Sequence, residues 1–160
     1  MKTNNKTAAM VRAAVIAAIY VVLTLFANIL GLANGAIQVR LSEAMCVLPI
    51  FFPEAIAGLS VGCLLANIIT GCLPLDIIFG TIATLIGAIG TYSLKKHNFL
   101  AVLPPIVSNT VIVPIVLRYA YGLGDAWWYM AITVCIGEII SCAVLGSFVI
   151  KMMNKYKLYM

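Results

Sequence analysis

Over 160 residues the chain is 64% hydrophobic and 9% charged, with a mean hydropathy of +1.12. It therefore lacks the polar surface that a water-soluble domain of this size must present, and it reads as an integral membrane protein. The net charge of +5 would suit a nucleic-acid partner in a soluble protein. Here the cations gather where cytoplasmic loops are expected, so topology accounts for the basicity and no nucleic-acid partner is expected.

A bilayer-crossing helix takes about 20 apolar residues. The chain thus accommodates about five or six spans, in a single integral membrane domain over residues 1–160, with no room for an ATP-hydrolysing domain. The first span runs from Ala8 to Leu30, behind Lys2 and Lys6 and with Arg12 in its first turns. These flanks also fit a signal peptide. The apolar run is long for a signal core and ends at no small-x-small site, so it is expected to stay as the first helix. A polar loop, Gly31 to Arg40, leads to Leu41 to Phe52, which as an α-helix would reach only about 18 Å and is expected to be closed by Pro49 and Pro53. The second crossing is therefore short or broken.

Further spans are expected over Glu54 to Gly71, Leu75 to Leu94, Leu100 to Tyr119 and Ala126 to Ile150. With the amino terminus inside, Lys95, Lys96 and His97 fall inside, as do Lys151, Lys155 and Lys157 after six crossings, in accord with the positive-inside rule. The expected fold is an all-α membrane protein of about six transmembrane helices with both termini cytoplasmic. Arg40 and Arg118 then lie on the external side. Tyr119, Tyr121, Trp127, Trp128 and Tyr129 cluster at that edge, either as an interfacial belt alone or as a belt in which one or two rings also roof a ligand pocket.

No nucleotide-binding, hydrolase-elbow or metalloprotease motif occurs, and the single histidine, His97, lies among lysines. No enzyme, cofactor or metal centre is expected. Five cysteines, Cys46, Cys63, Cys72, Cys135 and Cys142, are odd in number and lie mostly in apolar runs, as packing residues do.

The acids carry the chemistry, because a carboxylate at a helix centre costs about 2.5 to 3.5 kcal/mol and needs compensation. Glu138 lies near the middle of the last span and reads as a ligand or proton site, with an interhelical hydrogen bond as the structural alternative. Glu43, three residues after Arg40, fits an ion pair, a helix-start carboxylate or a ligand contact. Asp76, after Pro74, fits a first-turn cap or a ligand contact. Glu54, after Pro53, fits a cap, and Asp125 a solvated loop. Asn67 and Asn109 need amide partners from another helix or from a ligand. Arg40, Glu43, Asn67, Asp76, Asn109 and Glu138 together point to a small polar ligand with several hydrogen-bond donors. Near the start of the chain, Ala9, Ala13 and Ala17 recur every fourth residue, with Ala14 and Ala18 beside them. Such a stripe marks close helix contact within the fold or with another subunit.

The runs Ile37 to Ala44, Gly62 to Asn67, Pro74 to Thr81 and Leu103 to Asn109, with Gly137-Glu138, resemble the QueT family of substrate-binding subunits of energy-coupling-factor (ECF) importers. The similarity extends over nearly all of the chain after the amino terminus. It implies a subunit of the cell membrane that binds a queuosine precursor outside, an aminomethyl-deazaguanine or queuine-like base. It also implies a partnership with a transmembrane coupling subunit and two ATPases, with Ala9, Ala13 and Ala17 as the coupling contact. For such a modified purine base, Glu43, Asp76 and Glu138 are candidate acceptors, Arg40, Asn67 and Asn109 candidate donors, and Tyr119 or Trp127 a stacking ring. A related subunit for a folate- or flavin-type vitamin shares this topology. A small channel or membrane-embedded enzyme built on Glu138 is the reading from another class, for which no partner base, nucleophile or polar stripe is present.

Overall fold

The computed structural model describes residues 5–32, 38–97, 99–120, 122 and 126–156, and these are helical or connecting turn throughout. Six helices follow in order. Helix one is Asn5–Ile29, helix two Leu41–Ile50 and helix three Ala55–Ile69. Helix four is Pro74–Ser93, helix five Leu100–Ala120 and helix six Trp127–Tyr156. Helices one, four, five and six are long and apolar enough to cross a membrane, and helices two and three are shorter apolar helices. The expectations on Lys2, Ile37, Tyr121, Asp125 and Lys157 lie outside the described residues.

Two glycines end helices one and three. Gly31 (φ 70°) and Gly71 (φ 73°) take the left-handed conformation. Each sits inside a paired cap: Leu32 N–H donates to Ala27 and Gly31 N–H to Asn28, and Cys72 N–H donates to Asn67 and Gly71 N–H to Ile68. These bonds satisfy the last carbonyls of apolar helices, joined at the end of helix three by the Thr70 hydroxyl, which donates to the Ala66 carbonyl at 2.8 Å.

Small residues set how closely the helices pack. A Cβ on Gly58 would stand 2.7 Å from the Ala13 carbonyl, and one on Gly62 would stand 3.0 Å from the Ala17 carbonyl, so helices one and three run parallel at close range. Ala17 is buried and Ala13 half-buried in this seam, while Ala14 and Ala18 face outward. Helices four and five pack antiparallel. A Cβ on Gly87 would come within 2.7 Å of Pro105, and Ser108 donates to the Ala83 carbonyl at 3.0 Å. Thr91 donates to the Ala101 carbonyl at 2.8 Å, closing the same interface at its other end.

Three expectations are corrected. Helix two is a 3-10 helix that contains Pro49 instead of ending at it. At about 2.0 Å per residue its ten residues reach about 20 Å, so tighter winding recovers length that an α-helix would not give. Helix six runs on to Tyr156, six residues past the expected end, and changes winding on the way. It is α-helical over Trp127–Glu138, π-helical over Ile139–Leu145 and α-helical again from Gly146. Glu54 occupies the N-cap position of helix three but makes no side-chain cap; its carboxylate instead pairs with Arg12 of helix one. Arg12 also lies over the Phe52 ring, 5.7 Å from its centre, tying helix one to the turn below helix two.

Candidate functional site

Helix two is the axis of the site. All five other helices touch it, and Ser42 through Pro49 are buried. Side chains three apart in a 3-10 helix eclipse one another. That winding aligns Arg40, at the N-cap, with Glu43 and Cys46 on one ridge. The Cys46 thiol donates to Glu43 Oε2 at 2.9 Å along this ridge.

Glu43 is fully enclosed, with 0% of its surface exposed. Burial at this depth requires that its carboxyl be hydrogen-bonded. Tyr20 of helix one donates its hydroxyl to Oε1. On Oε2, Asn109 of helix five joins Cys46, at 3.5 Å. Just beside these, Thr24 donates to the Ser42 hydroxyl at 2.9 Å, a second polar tie between helices one and two.

Helix six brings the second acid. Glu138 ends the α-helical part, and the wider π turn that follows directs Ser141 and Cys142 back toward helix two. The Cys142 thiol bridges the two acids, reaching Glu138 Oε2 and the Glu43 backbone carbonyl at 3.4 Å each. Ser141 accepts the backbone N–H of Arg40 at 3.1 Å. Gly137 lies against the Gln38 carbonyl so closely that any Cβ there would collide with it. Short π segments of this kind are found where a helix is shaped around a site.

Glu43, Glu138 and Cys142 hold their ligating atoms within 4.8 Å of one another. They are the donor set nearest to a metal site among the described residues, and within it the Cys142 thiol lies 3.4 Å from Glu138 Oε2. Arg40 brings a positive charge within the field of Glu138, Glu43 and Asp76, and Asn109 is within reach of Glu138 as well as Glu43.

A second niche adjoins the first. Asn67 and Asp76 are each 8% exposed and meet above Gly80, where a Cβ would stand 3.1 Å from Asn67 Nδ2 and 3.5 Å from Asp76 Oδ1. Cys63 lies beneath Asn67, 3.7 Å from its amide nitrogen, and accepts from the Thr84 hydroxyl at 3.3 Å.

The structure thus gathers Glu43, Asn109 and Glu138 into one buried cluster, with half-buried Arg40 at its edge and Asn67 and Asp76 alongside. Tyr119 (78% exposed) and Trp127 (47% exposed) stand outside it, at the facing ends of helices five and six near exposed Arg118. Sequence reasoning did not single out Tyr20, Ser42, Thr24 or Ser141 and took Cys46 and Cys142 as packing residues. The spacing of Cys46 three after Glu43, and of Cys142 four after Glu138, was the available signal. Nothing marked Tyr20 except that it is, with Thr24, one of two hydroxyls in an apolar run.

Compared with known proteins, the chain matches the QueT transporter family over residues 10–155. It is 32% identical over 83 residues to the queuosine precursor transporter QueT of Lactococcus lactis subsp. cremoris (strain MG1363). That alignment covers 52% of this chain and 48% of the relative, so the chain spans about half the length of the curated relative it matches. No solved structure matches.

Proposed function

The chain belongs to the QueT transporter family, a membrane transporter and not an enzyme, and from that membership and its buried acids we propose that it binds a queuosine precursor as the substrate-binding subunit of an ECF-type importer. The observation that carries this reading is the pairing of Glu43 and Glu138. Two carboxyls, 0% and 4% exposed, approach within 4.8 Å of each other beside one guanidinium, Arg40. Two acids held this close in apolar surroundings favour a cation or several N–H donors between them. A deazaguanine base offers both: adjacent N–H donors on one edge, which a carboxylate accepts side by side, and a cationic aminomethyl arm for the second acid. Arg40 and the amides of Asn109 and Asn67 are donors suited to its carbonyl. Asp76 extends the acceptor set, and Tyr119 or Trp127, at the helix ends outside the cluster, is the candidate stacking ring.

We place both termini and the Lys95–Lys96 turn in the cytoplasm of the cell membrane, which the concentration of cations there supports. The site then opens to the outside. Transport requires a coupling subunit and two ATPases. Helix one is the proposed coupling face along Ala9, Ala13 and Ala17. Because Ala17 and part of Ala13 are taken up by helix three, the exposed Ala14 and Ala18 carry the free portion of that stripe.

The test is a calorimetric or thermal-shift titration of the purified protein in detergent, with aminomethyl-deazaguanine, guanine, a folate and a flavin. Selective stabilisation by the first supports the reading, since a ligand that binds only the folded state raises the melting temperature with concentration. Response to a folate or flavin alone retains the importer and replaces the substrate.

A further inference from the structure

We infer that Tyr20 is a positioning residue for the ligand, acting through Glu43; the inference rests on the reading of Glu43 as a ligand acceptor. Tyr20 is 2% exposed, and its hydroxyl donates to Glu43 Oε1 from helix one. A carboxylate offers about four acceptor positions. Among the described residues three are engaged, one on Oε1 by Tyr20 and two on Oε2 by Cys46 and Asn109. Among those residues the open position is on the oxygen that Tyr20 holds.

A hydrogen bond on each side fixes the plane of the carboxyl. Cys46 belongs to the same helix as Glu43 and moves with it, and the 3.5 Å Asn109 contact is long. Tyr20 is therefore the tether from outside helix two, on Oε1 itself, that sets where the open lone pair points. Its own position is fixed by close packing, since a Cβ on Gly62 would meet the Tyr20 Cβ at 2.8 Å. Helix one is the least buried of the four long helices. Its polar ties to helix two are Tyr20–Glu43 and, one turn on, Thr24–Ser42. A ligand that takes the open position on Oε1 shares that oxygen with helix one and so draws helix one into the bound arrangement.

The experiment compares wild type, Tyr20→Phe and Glu43→Gln in detergent, reading affinity for aminomethyl-deazaguanine by calorimetry and the carboxylate stretch by infrared difference spectroscopy. Phenylalanine keeps the ring packing and removes only the donor. The expected result is about tenfold weaker binding in Tyr20→Phe, together with a shifted carboxylate band that disappears when the same change is made in the Glu43→Gln background. A side chain that merely fills space leaves that band where it is. Should Tyr20→Phe fail to fold, wild type carrying ring-deuterated tyrosine reads the same bond through the phenol C–O stretch, which moves on ligand addition. Affinity within twofold of wild type, or an unmoved band, overturns the inference while Glu43→Gln still loses binding. Normal binding by Glu43→Gln overturns the reading of the site itself, and the inference with it.

Discussion

The backbone N–H of Arg40 donates to the Ser141 hydroxyl at 3.1 Å, joining residues 101 apart in sequence. This bond fixes the entry of the 3-10 helix against the π turn of helix six, and Ser141 in turn donates to the Gly137 carbonyl at 2.9 Å. Two unusual windings thus meet at one hydroxyl; the first carries Glu43, and Glu138 immediately precedes the second.

Replacing Ser141 by alanine leaves the half-buried backbone N–H of Arg40 without this acceptor. The expected loss is about 1–3 kcal/mol of stability, seen as a lower melting temperature in detergent. Ligand affinity falls with it, because Arg40 is no longer held at the start of helix two.

Gly137→Ala is expected to be more damaging than its single methyl suggests. The added carbon collides with the Gln38 carbonyl, a backbone atom that cannot rotate away. Forcing the two apart costs about 1–3 kcal/mol as overpacking does elsewhere. Gly122→Ala makes the comparison, since its neighbourhood is open and only its φ of 62° is unfavourable. Melting curves of the two variants are expected to show the larger loss, and weakened ligand binding, for Gly137→Ala alone.

Glu43→Gln and Glu138→Gln preserve shape and replace each carboxyl by an amide, which removes an acceptor oxygen. A hydrogen bond to a charged group contributes about 1.5–3 kcal/mol, so each variant is expected to bind the proposed base about ten- to a hundredfold more weakly while remaining folded. Titration calorimetry gives the affinities and size-exclusion profiles the folded state. A variant that binds as wild type does removes its residue from the site.

Leucine at Ala17 and leucine at Ala18 are expected to separate packing from partnership. At Ala17, buried against Gly62, leucine pushes helix one off helix three and lowers the melting temperature. At exposed Ala18 it leaves the melting temperature and ligand binding unchanged. If helix one is the coupling face, Ala18→Leu abolishes uptake by cells that express the full importer; normal uptake moves the coupling contact elsewhere.

The amino-acid sequence by itself determined the class, the number of helices and the residues under chemical tension. Twenty-residue apolar runs fit only a membrane, and a handful of acids inside them stand out because burying each one is costly. Glu43, Glu138 and Asn109 were legible for that reason alone, with no knowledge of what they touch. Which groups satisfy them was decided only by the tertiary structure. Tyr20 and Asn109 reach Glu43 from 23 and 66 residues away, and Cys142 reaches its carbonyl from 99. Local pattern carries no information over such separations. Winding also hid the geometry. A face drawn with 3.6 residues per turn misplaces every side chain in a 3-10 helix at Leu41–Ile50 and a π turn at Ile139–Leu145. Those windings are held by contacts between helices, such as Ser141 on Arg40 and Gly137 against Gln38, and exist only once the helices have come together.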